Sequence, residues 1–350
     1  MIPIIKYVKK ILTYIYRTFR KSINNPRIIY NGIVGSYKDI SGKNIVSREI
    51  DSIIDGFETN VSLIFSTSKG IFIFDKKNNI SKQILNGHSY GITRSDNYWF
   101  VQRTVNRNKN IPKYKRVSNI VKFKIKNYCV QDLSIVILGL KGEIHQIDII
   151  GEELFIPYTG FNRILHFNID GRMLLPRLEF NLSSINLSIS KTSHLNSIYS
   201  DGQCIYVIAH NQTAHTNRSS ELIRYSKLDK TISIQDLNAH SAHNIIYINE
   251  SIYFCDSNNN KLFRDNNVIF QSNKLLRGLS MTDDRIYVGG SDIDFIGDKR
   301  YSSNATVYIL NTGGNQVGQL DFPGLGNIYE IRQLNGVDYS LSNWRNNAKE

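Results

Sequence analysis

A chain of 350 residues with 41% hydrophobic content can bury one large core or two average ones, and it is too apolar to be a disordered tail. Its three cysteines, Cys129, Cys204 and Cys255, fit neither a disulfide framework nor CxxC metal spacing, which points to a reducing, cytosol-facing location. The formal charge of +13 is concentrated: residues 1–28 hold seven Lys/Arg and residues 101–127 hold nine, neither stretch has an acid, and the other 27 bases face 30 acids. Two basic appendages on a nearly neutral body argue against a nucleic-acid groove, which would carry its charge along one surface.

The first segment, "MIPIIKYVKKILTYIYRTFRKS", has helical periodicity. Ile4, Ile5, Val8, Ile11, Leu12, Ile15 and Phe19 share one face, and Lys6, Lys9, Lys10, Arg17, Arg20 and Lys21 share the other. Its uncharged run, Ile11 to Tyr16, is too short to span a bilayer, and no small-residue cleavage site follows. An apolar stripe opposite cations is what a helix lying in an anionic membrane surface needs. Lys6, Lys9, Lys10, Ile11, Ile15, Arg17, Phe19 and Arg20 would make that contact. The alternative is packing on the body or on a partner protein. The chain is therefore read as a basic amphipathic helix over 1–28, a peripheral membrane anchor, followed by one domain over 29–350.

Beyond residue 58 the chain is strand-like, with turns rich in Asn, Asp and Gly. One pattern recurs six times: "IFIF" at Ile71, "IVKF" at Ile120, "ILHF" at Ile164, "LIRY" at Leu222, "KLFR" at Lys261 and "TVYI" at Thr306. A second precedes five of these, at Trp99-Phe100, Leu154-Phe155, Ile205-Tyr206, Ile252-Tyr253 and Ile286-Tyr287. Each pair lies seven residues after an aliphatic, Ile92, Ile147, Ile198, Ile245 or Leu279. Units of roughly 40–58 residues with three or four short strands are the period of a β-propeller blade. The expected fold is all-β, a six-bladed propeller, with seven blades as the alternative. The segment "GNIYEIRQLNGVDYSLS" reads as an inner strand without outer ones, and "VSLIFSTSKGIFIFDKK" as outer strands without an inner one. The carboxy-terminal strand should therefore close the first blade, and residues 29–58 should add an outer strand or a cap.

Aligning the units on their strands defines a position two residues before each inner-strand aliphatic. Tyr90, His145, Asn196, His243, Arg277 and Tyr329 occupy it, and two residues earlier stand His88, Glu143, His194, Ser241, Leu275 and Asn327. Four of the chain's eight histidines fall in these twelve positions, far more than chance. Residues two apart in an extended segment point the same way, about 6.6 Å apart. Loops into the innermost strands should thus converge on one mouth of the central channel.

The residue types suggest the chemistry. His145 and His194, on adjacent blades, can transfer protons, and Tyr90 and Tyr329 can donate to an oxyanion, which makes these four the catalytic candidates. Arg277 can fork onto a carboxylate or phosphate, with Asn196, His243, His88 and Glu143 as further ligand contacts. His88, His145, His194 and His243 are also candidate ligands for a divalent metal, the one cofactor class the pattern suggests. Polar residues that merely hydrogen-bond loops and channel water are the plainer reading. "AHNQTAHTNRSS" (209–220), with His210 and His215, reads as a lid over the mouth or a polar loop, and "NRNKNIPKYKR" (106–116) as a basic insertion. His166 is expected to be structural. No phosphate-binding loop, nucleophile elbow or dinucleotide fingerprint occurs.

The runs "IHQIDIIGEELFIPYTGFNRI", "SHLNSIYSDGQCIYV", "AHNIIYINESIYFCDSNNNKLF" and "LLRGLSMTDDRIYVGGS", within about residues 140–295, resemble a family of bacterial propellers known only as a domain of unknown function. More distantly they are similar to streptogramin-lyase and NHL-type propellers. Of that family's boxes, His194-Leu195-Asn196 matches without its Gly, and Arg277-Gly278-Leu279 matches fully. His145 is followed by Gln146 where the family has Asp, and His243 lies between Ala242 and Asn244 where it has Pro and Ser. The resemblance implies the propeller fold and a polar ring but no reaction, and the missing Asp weakens a catalytic dyad at His145; only the more distant similarity to streptogramin-lyase propellers implies elimination at such a mouth. The expected function is binding of a small polar or anionic ligand, such as a sugar acid, nucleotide sugar or glycan end, with lyase-type proton transfer. The alternatives are a non-catalytic scaffold for a protein partner and a metal-dependent lyase or oxygenase.

Overall fold

The computed structural model describes residues 45–55, 60–104, 116–142, 144–159, 162–169, 177–181, 193–292 and 300–344; the expected helix over 1–28 and Glu143 lie outside them. The strands form six antiparallel sheets. Blade I contains Ser62–Thr67, Gly70–Asp75 and Ile80–Asn86, and takes Ile328–Gln333 as its innermost strand. Blades II to V follow in chain order, with innermost strands Ser89–Ser95, Asp148–Ile150, Leu195–Ser200 and Ala242–Ile248. Blade VI runs outward from Leu275–Met281 through Arg285–Ser291 and Ala305–Asn311 to Gln316–Phe322. Each innermost strand touches those of both neighbouring blades, so the ring closes: the fold is a six-bladed β-propeller.

Closure is made twice. From the inside, Ile328–Gln333 pairs with Ser62–Thr67. From the outside, Ile45–Glu49 adds a fifth strand to blade I and Ile53–Asp55 a fifth to blade VI. Six apolar clusters fill the six blade interfaces. Between blades VI and I, for example, Leu63, Phe65 and Phe72 meet Val307, Leu320 and Phe322, with the Phe65 and Phe322 rings 5.2 Å apart. Each such side chain contributes roughly 1.5–3 kcal/mol. Both faces of a blade are covered, and every residue of Gly70–Asp75 is buried, which is why alternation in the sequence is weak.

Five of the six innermost strands share an irregularity at the channel mouth. The pairing register shifts between Ser89 and Ile92, Leu195 and Ser197, His243 and Ile245, Leu276 and Leu279, and Ile328 and Glu330. The residues skipped by the ladder include Tyr90, Asn196, Arg277 and Tyr329. His243 is the last residue before its bulge, and His145 lies ahead of the first pair of blade III, Asp148 with Phe155. A bulge kinks the strand and re-aims the side chain at that point. Two glycines make room for it. A Cβ on Gly91 would lie 2.6 Å from the His145 carbonyl oxygen, and Gly278, at φ +84°, faces Ile328 and Ile331.

The opposite end of the channel is closed by the tail after the last strand. Arg94 of blade II donates to the Leu334 and Gly336 carbonyls, Tyr339 N–H to Met281 of blade VI, and Ser342 N–H to Asp148 of blade III. Ser200 N–H of blade IV donates to Ser342 Oγ. Inside the channel Arg332 is fully buried; its Nε donates to the Ile92 carbonyl at 3.1 Å and its Nη1 to Glu330 Oε1 at 2.8 Å. Among the described residues no helix is long and apolar enough to cross a membrane.

Candidate functional site

With one end plugged, the channel is a blind pocket. Its open end is a cavity of about 620 Å³ lined by residues of blades II to VI and the blade VI to I junction. Tyr90, His145, His194, His243 and Arg277 from the aligned positions line it. Below lies a neck of about 10 Å³, the room of a single water, where Asn196 and Tyr329 stand beside Tyr90, His145, His243 and Arg277.

The rings touch in sequence around the mouth. His88 packs edge-on against Tyr90 at 4.5 Å and Tyr329 at 5.1 Å, and Tyr90 lies 4.6 Å from His145. His145 meets His194 at 4.9 Å, His194 meets His210 at 5.1 Å, and His210 meets His243 at 5.1 Å. Arg277 bridges the remaining gap, bonded to His243 and lying 5.4 Å over the Tyr329 ring. The mouth therefore has a tyrosine side, on blades I and II, and a histidine side, on blades III to V.

Hydrogen bonds fix the protonation of two imidazoles. A guanidinium only donates, so His243 Nε2 accepts from Arg277; its Nδ1–H donates to the Ser241 carbonyl at 2.7 Å and reaches Ser257 Oγ at 3.0 Å. Its pKa is held well below the usual imidazole range, first by burial and then by Arg277, His210 and His145. His210 Nδ1 accepts from Gln212 N–H at 3.0 Å, which places its proton on Nε2. Neutral imidazoles in set tautomers serve here as fixed donors and acceptors.

Not every expected contact faces the cavity. His88 is buried among Tyr90, Tyr329 and Tyr301, and it does not line the cavity. The Asn196 amide is engaged by its neighbours: Nδ2 donates to the Ala242 carbonyl at 2.9 Å and Oδ1 accepts from Ser197 Oγ at 3.0 Å. Of the four candidate metal ligands, His88 lies among tyrosines and His243 Nε2 accepts from a guanidinium. Among the described residues no three His, Cys, Asp or Glu side chains are placed to hold a metal ion. His166 pairs with Glu153 at 2.8 Å, away from the mouth.

The tertiary structure adds lining residues. His210, Gln212 and His215 come from the 209–220 loop, Ser257 and Asn258 follow the second strand of blade V, and Arg116 and Arg300 precede the third strands of blades II and VI. A signal for His210 and Ser257 existed: in an antiparallel pair the end of the second strand returns beside the start of the first. Ala209 pairs with Leu195, and Asp256 with Ala242. No such rule places Arg116 or Arg300. Deeper in the channel Glu330 accepts from Asn244 Nδ2 at 3.0 Å, and burial pushes its carboxyl up to about 8.

No family model matches the chain, and no curated protein matches it. Solved β-propellers do. One is the propeller in a nidogen/laminin complex, at 12% identity and a TM-score of 0.57, covering 77% of this chain and 97% of that one. Another is the calcium-binding protein regucalcin of Agrobacterium tumefaciens, at 11% identity and a TM-score of 0.46, covering 66% and 73%. At these identities the likeness is one of fold alone.

Proposed function

We propose that the channel mouth binds a small anionic ligand. One observation carries this: the described lining of the cavity contains Arg116, Arg277 and Arg300 and five histidines, and no Asp or Glu. In a blind pocket walled by low-dielectric blades, those guanidiniums act on an anion with little screening. Arg277 is the centre of the grip, since His243 and Tyr329 hold its plane. A sugar acid, nucleotide sugar or phosphorylated glycan end has the charge and size for the space.

Turnover extends this reading. His145 and His194, in ring contact across two blades, would move a proton, and Tyr90 and Tyr329 beneath them would donate to the developing oxyanion. That is the elimination chemistry implied by the likeness to streptogramin-lyase propellers. The amino-terminal helix would hold the protein at an anionic, cytosol-facing membrane surface, where lipid-linked sugars are met.

The test is titration calorimetry with hexuronate and hexose phosphates. Arg277→Ala combined with His194→Ala should weaken binding by at least about tenfold, a loss of about 1.4 kcal/mol, at an unchanged melting temperature. Binding that survives the double substitution removes the mouth as the site. Absence of binding to the unsubstituted chain would instead favour a scaffold for a protein partner.

A further inference from the structure

Below the mouth, the neck meets a buried carboxyl. Glu330, 1% exposed, lines it together with Arg277 and Asn244. Two further carboxyls, Asp148 and Asp338, are buried deeper in the same channel, near Arg332. The three are held differently. Asp148 accepts from Thr93 and Ile149 N–H on Oδ1 and from Ser342 on Oδ2. Asp338 accepts from Ser280 and Ser340 on Oδ1 and from Gln333 N–H on Oδ2. Glu330 takes both of its donors, Asn244 Nδ2 at 3.0 Å and Arg332 Nη1 at 2.8 Å, on Oε1, and among the described residues none donates to Oε2. That is the pattern of a protonated carboxyl, one oxygen accepting and the other carrying the O–H, and the neck gives that O–H the room of a single water. Burial, against the pull of Arg332 and with the help of Asp148 and Asp338, pushes the Glu330 carboxyl up to about 8.

The other groups around the neck are Tyr90 on blade II, His145 on blade III, His243 on blade V, Arg277 on blade VI and Tyr329 on blade I. Blade IV presents Asn196 and Ser197, which do not titrate. The Cys255 thiol, pushed up first by burial and then by Glu330, completes the set. Asn244 ties Glu330 to the anion grip: its Nδ2 donates to Glu330, and its Oδ1 accepts from Gly278 N–H at 2.8 Å, next to Arg277 in the chain. Resting on the anion-binding reading above, we infer that ligand binding is coupled to a proton on Glu330: the mouth takes its anion with Glu330 protonated and loses affinity when Glu330 ionises. A carboxylate in the neck would repel the ligand at short range and compete with it for the Arg277 guanidinium. The linkage is reciprocal. A bound anion makes the Glu330 proton harder to remove, so binding near pH 8 takes a proton up, and affinity falls as pH rises through that range.

The probe is hexuronate, whose carboxylate stays ionised from pH 7 to 9.5. Titration calorimetry on the full chain should show its affinity falling by about tenfold across that range, and two buffers of different ionisation enthalpy should show net proton uptake at pH 8. Glu330→Gln keeps an oxygen for Asn244 and Arg332 but cannot ionise, so it should flatten the profile and abolish the uptake. A second measurement needs no substitution. Carbon-13 NMR of protein labelled at its glutamate carboxyls should show one glutamate titrating at about pH 8, and at higher pH when hexuronate is saturating. A flat profile in the unsubstituted chain, an equal profile in Glu330→Gln, or a glutamate titration that hexuronate does not move would each overturn the coupling while anion binding stands. Absence of binding by hexuronate and hexose phosphates at every pH would instead remove the anion site itself, and the coupling with it.

Discussion

His243 commits its two ring nitrogens in opposite senses, donating through Nδ1 to Ser241 and accepting through Nε2 from Arg277. A proton added at Nε2 would meet the guanidinium, so the native state refuses it, and the lowered pKa follows from burial and from Arg277, His210 and His145. The unfolded chain takes that proton near pH 6.5. Between the lowered native pKa and 6.5 the unfolded state binds more protons, so stability falls as pH falls; above about 7.5 the group contributes no pH dependence. Denaturant titrations at pH 7 and 5.5 should show the unsubstituted protein losing about 1 kcal/mol more than His243→Gln, whose amide oxygen still accepts from Arg277. Parallel pH profiles for the two proteins would mean that His243 is protonated in the native state. The slot of His243 was legible from repeat alignment. Its role was not, because the partners on both nitrogens come from the loop before it and from the next blade.

The bulges act at the scale of the strand. A regular inner strand would alternate its side chains between neighbouring blades; skipping one or two residues at the mouth turns Tyr90, Asn196, Arg277 and Tyr329 into the channel instead. Gly278 makes the blade VI bulge possible, with φ at +84° and the Ile328 and Ile331 side chains 3.0 Å from where a Cβ would stand. Gly278→Ala should therefore cost roughly 1–3 kcal/mol in urea unfolding and weaken anion binding by displacing Arg277. Gly324 is the comparison: its φ is +64°, but nothing lies within 4 Å of the added carbon. Gly324→Ala should cost roughly 1 kcal/mol and leave binding unchanged. Equal costs at the two positions would show that backbone conformation alone, and not the packing at the bulge, matters. A strand pattern such as "LLRGLS" announces the strand and its aliphatic anchor; the extra residue has no periodic signature of its own.

At the scale of the whole molecule, the chain joins its first and last blades by strands from both ends, and the tail after Gln333 then shuts the far end of the channel. The first described strand begins at Ile45, so the amphipathic segment precedes everything that closes the ring. Deleting residues 1–24 should therefore leave the melting temperature unchanged and abolish flotation with anionic liposomes. Retained flotation would move the membrane contact to the body, and a large drop in melting temperature would make the segment part of the fold. The sequence by itself determined the all-β class, the six repeats, the strand that closes blade I and the slots around the mouth, because these follow from periodicities that every blade repeats. Only the tertiary structure decided which end is blind, that His210, Arg116 and Arg300 join the mouth, and that His243 serves Arg277. Those depend on single contacts between blades far apart in the chain, and a repeat encodes what its units share, not where one of them departs.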